Sequence, residues 1–131
     1  MVDRKAVALD TNIAIAVLNG QKAIIEKLAA FEMIYLPVTV SGELLFGAKN
    51  SKNRTKNMEK FRAFIGRCVV LDINNLIAEE YSDIRLRLKQ KGNPIPENDI
   101  WIAAICIANG LPLLTADRHF QNIDNLEVVF L

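Results

Sequence analysis

Histidine and cysteine are scarce in this 131-residue chain, which contains one histidine, His119, and two cysteines, Cys68 and Cys106. The cysteines lie in apolar stretches far apart in the sequence and have no CxxC spacing. We therefore expect two buried, reduced thiols rather than a disulfide or a metal site. Zinc sites use several histidine or cysteine ligands, so the composition argues against a zinc protein.

Long hydrophobic runs are also missing, although 51% of the residues are hydrophobic. The longest apolar stretches, such as 100–108, are too short to cross a bilayer. Asp3 and Arg4 precede a brief apolar stretch that ends in Asp10, a pattern that matches neither a signal peptide nor a transit peptide. We expect a cytoplasmic protein with no membrane partner, folded as a single domain over residues 1–131.

Short apolar runs alternate with amphipathic segments along the chain, and turn residues separate them. The predicted strands are 6–9, 33–36, 68–71, 111–114 and 127–130. The predicted helices are 13–18, 21–30, one that carries Glu43 and is capped by Thr39 or Ser41, one that ends near residue 65, one from residue 74 or 75 to 91, and 97–108, with a polar loop over 49–56. This alternation predicts an α/β fold with a mainly parallel sheet of about five strands, covered by helices on both faces.

Four carboxylates from distant segments are predicted to meet at one edge of this sheet. Asp10 and Asp117 follow two of the predicted strands, and parallel α/β sheets bind ligands at the carboxyl ends of their strands. Glu43 and Asp99 lie near the starts of helices that the chain enters from the same edge. Each acid alone has an ordinary alternative as a helix cap, a first-turn charge or a solvent-exposed side chain. Their convergence predicts a site.

Carboxylates held close together repel and raise one another's pKa values unless a cation lies between them. Oxygen ligands without histidine or cysteine favour Mg²⁺ or Mn²⁺ over zinc. Two such ions about 4 Å apart would activate a water molecule and stabilise the leaving oxygen in an in-line attack on a phosphodiester. The acidic residues therefore predict phosphoryl-transfer chemistry.

With these residues identified, the chain resembles a PIN-domain ribonuclease, in particular a VapC-type toxin of a toxin–antitoxin pair, over essentially its whole length. The motifs that carry the resemblance are LDTN at 9–12, SGEL at 41–44, NDIWIAA at 98–104, LTAD at 114–117 and the ending DRHF at 117–120 followed by Ile123. Each fragment is short, and their order and spacing together make the resemblance specific.

The resemblance implies a PIN-like three-layer α/β/α sandwich whose catalytic residues are Asp10, Glu43, Asp99 and Asp117. It also implies that Asp10, Asp99 and Asp117 ligate Mg²⁺ or Mn²⁺, with Glu43 as a further candidate ligand. Asn12 and Thr115 match polar positions that assist the metal or the water. Such enzymes hydrolyse RNA and leave 3′-hydroxyl and 5′-phosphate ends.

The toxin branch of this family also implies partners. Its members typically form dimers and are silenced by an antitoxin peptide that lies near the active site. We therefore expect an RNA substrate, a cognate antitoxin and a homodimer. Structured RNAs, including initiator tRNA and ribosomal RNA, are substrates in that branch, and the sequence does not choose among them.

The net charge of +1 at pH 7 means that a local patch must bind any nucleic acid. Lys49, Lys52, Arg54 and Lys56 form a run without acidic residues that would hold phosphates near the helix bearing Glu43. A solvated loop is an equally good interpretation of this run.

Three further residues lie close to the acids in the sequence. Trp101 is two residues after Asp99 and points about 160° away from it around the helix, so we expect packing in the core or a dimer rather than stacking on RNA. Surface or local hydrogen bonding is the favoured role for His119, because metal-dependent hydrolysis needs no histidine. Glu97 either joins the site or caps its helix, and the sequence leaves both open.

Three other function classes share features with this sequence. A receiver-like signalling domain would phosphorylate Asp72 and needs adjacent acids after the first strand and a lysine after the fifth, but Asp10 has no acidic neighbour and no lysine follows Lys91. A PIN-fold nuclease that acts on DNA, or in RNA processing without a toxin role, stays open because carboxylates do not distinguish ribose from deoxyribose. A non-catalytic RNA-binding module is disfavoured, since unpaired acids repel phosphate.

Overall fold

The computed structural model describes residues 5–131. Asp3 and Arg4 of the N-terminal pattern that matches no targeting segment lie outside the described residues. The strands in chain order are β1 Ala6–Leu9, β2 Met33–Pro37, β3 Val69–Leu71, β4 Leu113–Thr115 and β5 Val128–Phe130. The helices are α1 Thr11–Leu18, α2 Lys22–Leu28, α3 Val38–Lys49, α4 Arg54–Gly66, α5 Asn75–Lys91 and α6 Glu97–Ala108, and a short 3₁₀ helix covers Arg118–Asn122.

Within residues 5–131, the five strands form one sheet in the order β3-β2-β1-β4-β5, and every pair is parallel. Val7, Ala8 and Leu9 of the central strand β1 are fully buried, as a parallel strand covered on both faces requires. Together with the six helices, this sheet forms the three-layer α/β/α sandwich that the sequence predicted.

The direction of strand addition reverses between β1 and β4. From β1 the chain adds β2 and β3 on one side, and then returns to add β4 and β5 on the other side. In an open parallel sheet, the crevice at the carboxyl ends of the strands beside such a reversal is the usual place for a ligand. Asp10 directly follows β1 and Asp117 lies just beyond β4, so both acids originate at this crevice.

Helix α6 supplies much of the core, because five consecutive residues from Ile102 to Cys106 are fully buried. Cys106 and Cys68 are both free thiols, as predicted, but only Cys106 is buried, and Cys68 is partly exposed. Burial raises the pKa of Cys68 to about 11 and that of Cys106 to about 12, so both stay protonated and unreactive at neutral pH. None of the described helices is long and apolar enough to cross a membrane.

Two of the predicted helix starts are wrong. Helix α1 begins at Thr11 rather than Ile13, because Asp10 is its N-cap and accepts a hydrogen bond from the Ile13 N–H at 2.9 Å. Helix α3 begins at Val38, immediately after Pro37, so neither Thr39 nor Ser41 caps it. Proline has a fixed φ and no N–H, which lets it end β2 and begin the helix with no gap between them.

Two other boundaries were hidden by composition. Helix α4 begins at Arg54, inside the predicted polar loop 49–56. Its first turn was assigned to the loop because most residues of α4 are polar and only Met58 is buried. Strand β4 begins at Leu113 rather than at residue 111. Pro112 cannot donate to the sheet, although its carbonyl accepts from the Ala8 N–H at 2.9 Å.

Candidate active site

A cavity of about 340 Å³ opens at the carboxyl ends of β1 and β4. Its lining contains the four predicted acids, Asn12 and His119, together with three residues for which the sequence analysis proposed no role. The full lining is Asp10, Thr11, Asn12, Glu43, Pro96, Asn98, Asp99, Asp117 and His119. Thr115 is fully buried and does not line the cavity. The fold thus brings acids from β1, α3, α6 and the end of β4 to a single depression.

Asp10 is 4% exposed, and both of its carboxylate oxygens are held by donors. Oδ1 accepts from the Ile13 N–H, and Oδ2 accepts from the Thr115 hydroxyl. Each carboxylate oxygen has two lone pairs, so these bonds orient the group and leave capacity for a ligand in the cavity. Asp10 therefore caps α1 and lines the site at the same time, which joins the two alternatives that the sequence left open.

Asp117 precedes the 3₁₀ helix, yet its side chain makes no capping hydrogen bond there. Its backbone N–H instead donates to Thr115 Oγ1 at 3.0 Å. The Thr115 hydroxyl group therefore connects Asp10 and Asp117, because it donates to the first and accepts from the second. This leaves the Asp117 carboxylate available to the cavity.

Asp99 lies in the first turn of α6, where its negative charge also favours the helix dipole. His119 Nε2 lies 2.8 Å from Asp99 Oδ2, and His119 lines the acidic cavity. The predicted surface or local hydrogen bonding of His119 therefore needs correction, because its partner is one of the four acids, twenty residues away in the sequence. No sequence pattern pairs these two residues, because the contact depends on how the 3₁₀ helix folds back over α6.

Glu43 is held by two donors that meet the same oxygen. Thr11 Oγ1 and the Asn98 side-chain amide both donate to Glu43 Oε1, the latter at 2.7 Å. These donors come from α1 and α6, so three helices fix the position of one exposed carboxylate. Thr11 and Asn98 flank the predicted acids Asp10 and Asp99 in sequence, and that adjacency was the only signal available for them.

The acids influence one another's ionisation. Burial raises the pKa of Asp10, and the charges of Asp117 and Asp99 raise it further, while the hydrogen bonds from Thr115 and Ile13 act in the opposite direction. Burial also raises the pKa of Asp99, although His119 opposes this effect. Asp117 and Glu43 add repulsion to Asp99. A cation between these carboxylates would offset this repulsion and favour their ionised forms.

The donor set fits a divalent cation. One ligand atom from each of Asp99, Asp117 and His119 lies within 4.8 Å of the other two, a spacing that a single ion can span. Asp10 and Glu43 line the same cavity and add carboxylate oxygens. Oxygen-rich sites of this kind suit Mg²⁺ and Mn²⁺, and the imidazole of His119 is more compatible with Mn²⁺ than with Mg²⁺.

Two neighbouring residues lie outside this cavity. Glu97, whose role the sequence left open, accepts hydrogen bonds from the Tyr81 hydroxyl at 2.7 Å and from Arg85 at 3.0 Å. Trp101 is partly buried, packs against the core and stacks on Tyr81 with ring centroids 3.9 Å apart. The expected packing role of Trp101 agrees with this contact, and neither residue lines the acidic cavity.

The predicted basic run divides into two groups. Lys49 and Arg54 line a cleft between α3 and α4, whereas Lys52 and Lys56 do not contribute to its lining. Arg62, which the sequence did not single out, lines the same cleft from α4.

Comparison with known proteins identifies the family. Residues 7–126 match the family model described as PIN domain. The chain is 32% identical over 123 residues to "Ribonuclease VapC2" of Rickettsia felis, covering 90% of this chain and 92% of that protein. It is 30% identical over 122 residues to "tRNA(fMet)-specific endonuclease VapC" of Shigella flexneri, covering 90% of this chain and 92% of that protein.

A solved structure shows the same architecture. The crystal structure of VapBC2 from Rickettsia felis, bound to a DNA fragment from their promoter, has a TM-score of 0.88 to this chain at 30% sequence identity. The match covers 96% of this chain and 98% of that one. On the family match, the sequence identities and the shared fold, the chain belongs to the PIN domain family.

Proposed function

We propose that this chain is a metal-dependent endoribonuclease and the toxin component of a toxin–antitoxin pair. The observation that carries the chemistry is the meeting of four carboxylates in one cavity at the reversal point of the sheet. The similarity to a ribonuclease and to a tRNA-specific endonuclease supports RNA as the substrate. The similarity to toxin–antitoxin complexes supports an antitoxin as the partner.

In this proposal Asp10, Asp99 and Asp117 hold Mg²⁺ or Mn²⁺, with Glu43 beside them. The bound ion would lower the pKa of a water molecule and neutralise charge on the phosphodiester. Ile13 and Thr115 orient Asp10, so its position is fixed before RNA arrives. Glu43, held through Oε1, is placed at the rim, where its other oxygen can accept a hydrogen bond from water.

A cleavage assay tests the enzyme. Wild-type protein with Mg²⁺ or Mn²⁺ should cut RNA, and EDTA should stop the reaction. Asp99→Asn should reduce the rate at least about a hundredfold, because the loss of several kcal/mol of charge stabilisation corresponds to that factor. Single-stranded DNA of the same sequence is the control for the DNA-nuclease alternative. Robust cleavage in EDTA, or full activity of Asp99→Asn, would contradict the mechanism.

The toxin role has a separate test in cells. Expression of the wild-type chain should arrest bacterial growth, and expression of Asp99→Asn to the same level should not. Co-expression of the product of the adjacent small gene should restore growth. Harmless expression of an enzyme that is active in vitro would count against the toxin role and leave the nuclease in place. The homodimer, the cytoplasmic location and the domain extent of 1–131 stay predictions.

A further inference from the structure

Phe46 on α3 is a large apolar side chain that the fold does not bury. It is 68% exposed, whereas α3 packs against the core through Val40, Leu44 and Ala48. Phe46 lies three residues after Glu43, and residues at this spacing are neighbours on a helix surface. The exposed ring therefore lies beside the acidic cavity, less than one helical turn from Glu43 towards the C-terminal end of α3.

Beyond Phe46, the same helix reaches a basic cleft. This cleft of about 380 Å³ is lined by Lys49, Arg54, Thr55, Met58, Glu59 and Arg62. Three cations and a single acid give it a net positive charge. Arg54, Met58 and Arg62 are four residues apart, so both arginines project from one face of α4 towards the C-terminal end of α3.

Acid, aromatic ring and cation thus follow one another along α3. From Glu43 to Lys49 the helix rises about 9 Å, with Phe46 halfway between them. Each step of three residues also shifts the side chain by about 60° around the helix, so the three groups follow a shallow spiral that a flexible single strand can trace with neighbouring nucleotides. Exposed aromatic rings stack on bases whatever their identity, and arginine and lysine bind phosphates.

We propose that a single-stranded segment of RNA binds along α3, with one base stacked on Phe46 and the adjacent phosphates held by Lys49, Arg54 and Arg62. This inference rests on the proposed ribonuclease function, because it places the scissile phosphate at the acidic cavity. The cavity itself repels phosphates until a cation is bound, so the attraction that positions the strand must come from groups beside it. The cleft between α3 and α4 supplies that charge.

Fluorescence anisotropy with a labelled single-stranded RNA oligonucleotide in EDTA measures binding while metal-dependent cleavage is off. Phe46→Ala should weaken binding by at least about fivefold, the lower end of the effect of one base–aromatic stack. Phe46→Tyr keeps the ring and should bind as the wild type does. Leu76→Ala is the matched control, because Leu76 is also 68% exposed but lies on α5. Its affinity for RNA should not change.

The basic cleft is tested by salt dependence. Arg54→Ala/Arg62→Ala removes two charges from the cleft, and Lys60→Ala/Arg67→Ala removes two charges from α4 and its C-cap outside the cleft. For a single strand, each lost phosphate contact reduces the magnitude of the negative slope of log binding constant against log salt concentration by about 0.7. The first pair should therefore reduce this magnitude by about 1.4. The second pair should leave the slope unchanged, and Phe46→Ala should leave it unchanged because no charge is removed.

Two results would overturn the proposal that RNA binds along α3: unchanged RNA affinity in Phe46→Ala, or equal salt slopes in the two double variants. Cleavage of the same oligonucleotide by the wild type with Mg²⁺ separates the two proposals. If the wild type cleaves the oligonucleotide but binding does not depend on Phe46, RNA binding along α3 is rejected and the ribonuclease is retained. If binding depends on Phe46 but no cleavage occurs, the ribonuclease is rejected and RNA binding along α3 is retained.

Discussion

The substitution Asp10→Asn should lower the cleavage rate at least about a hundredfold and yet make the metal-free protein more stable at neutral pH. The loss of activity is expected because Asp10 is the most buried of the four acids and lies where β1 ends in the cavity. Asparagine keeps the shape of the side chain and an oxygen that can accept from the Ile13 N–H. It cannot supply the negative charge that a divalent cation requires.

The gain in stability follows from the direction of the pKa shift. Burial, together with the charges of Asp117 and Asp99, raises the pKa of Asp10 above its ordinary value of 3.8. A carboxyl group with a higher pKa in the folded state binds its proton more tightly there. It therefore contributes stability below about pH 3.8, and that contribution is lost as the pH rises through the folded-state pKa. At neutral pH the metal-free protein carries a buried charge that the asparagine variant lacks.

Thermal unfolding in EDTA at a series of pH values measures this effect. At pH 7 the variant should melt at a higher temperature than the wild type, and the difference should shrink as the pH falls towards 4. Added Mg²⁺ or Mn²⁺ should raise the melting temperature of the wild type more than that of the variant. Asp72→Asn, at an exposed carboxylate outside the cavity, should change neither activity nor metal response. If Asp10→Asn is less stable than the wild type at pH 7 in EDTA, the predicted gain in stability is wrong.

The acidic residues could be located from the sequence because their positions follow from local rules. An apolar run such as 6–9 predicts a buried parallel strand, and the carboxyl ends of such strands share one edge. Asp10 and Asp117 were placed at that edge without any knowledge of the strand order. The order itself, with β1 beside β4, was not predicted, because it depends on pairing between segments about a hundred residues apart.

The groups that hold the acids were harder to predict for the same reason. Thr11 and Asn98 meet at Glu43, and His119 meets Asp99, only after three helices and the 3₁₀ segment have packed. No periodicity in the sequence encodes such contacts. The exposure of Phe46 could not be predicted, because an apolar residue in an amphipathic helix is assigned to the core by default.

Thr115→Val should lower cleavage about 10- to 100-fold, the usual effect of removing a partner that orients a metal ligand. Valine has nearly the same shape as threonine, so the fully buried site is not left with a cavity. The change removes the donor to Asp10 Oδ2 and the acceptor for the Asp117 N–H at the same time. It should also destabilise the protein by about 1–3 kcal/mol, because buried polar groups lose a partner.

Urea unfolding in EDTA gives the free energy of unfolding, and a metal titration of cleavage gives the apparent metal affinity. Thr115→Ser keeps the hydroxyl group and should remain close to the wild type in both measurements. If serine is as impaired as valine, the methyl group rather than the hydroxyl group is important. If valine is fully active, Thr115 does not position the acids.

A double-mutant cycle determines whether Thr115 acts through Asp10. If the hydroxyl group works by orienting the Asp10 carboxylate, Thr115→Val should cost little further activity once Asp10→Asn is present, because residues that act as a unit are not additive. Additive losses would instead assign the effect of Thr115 to Asp117, whose N–H it also binds. The same cycle in unfolding experiments should show coupling as well, since the hydrogen bond from Thr115 opposes the rise in the pKa of Asp10.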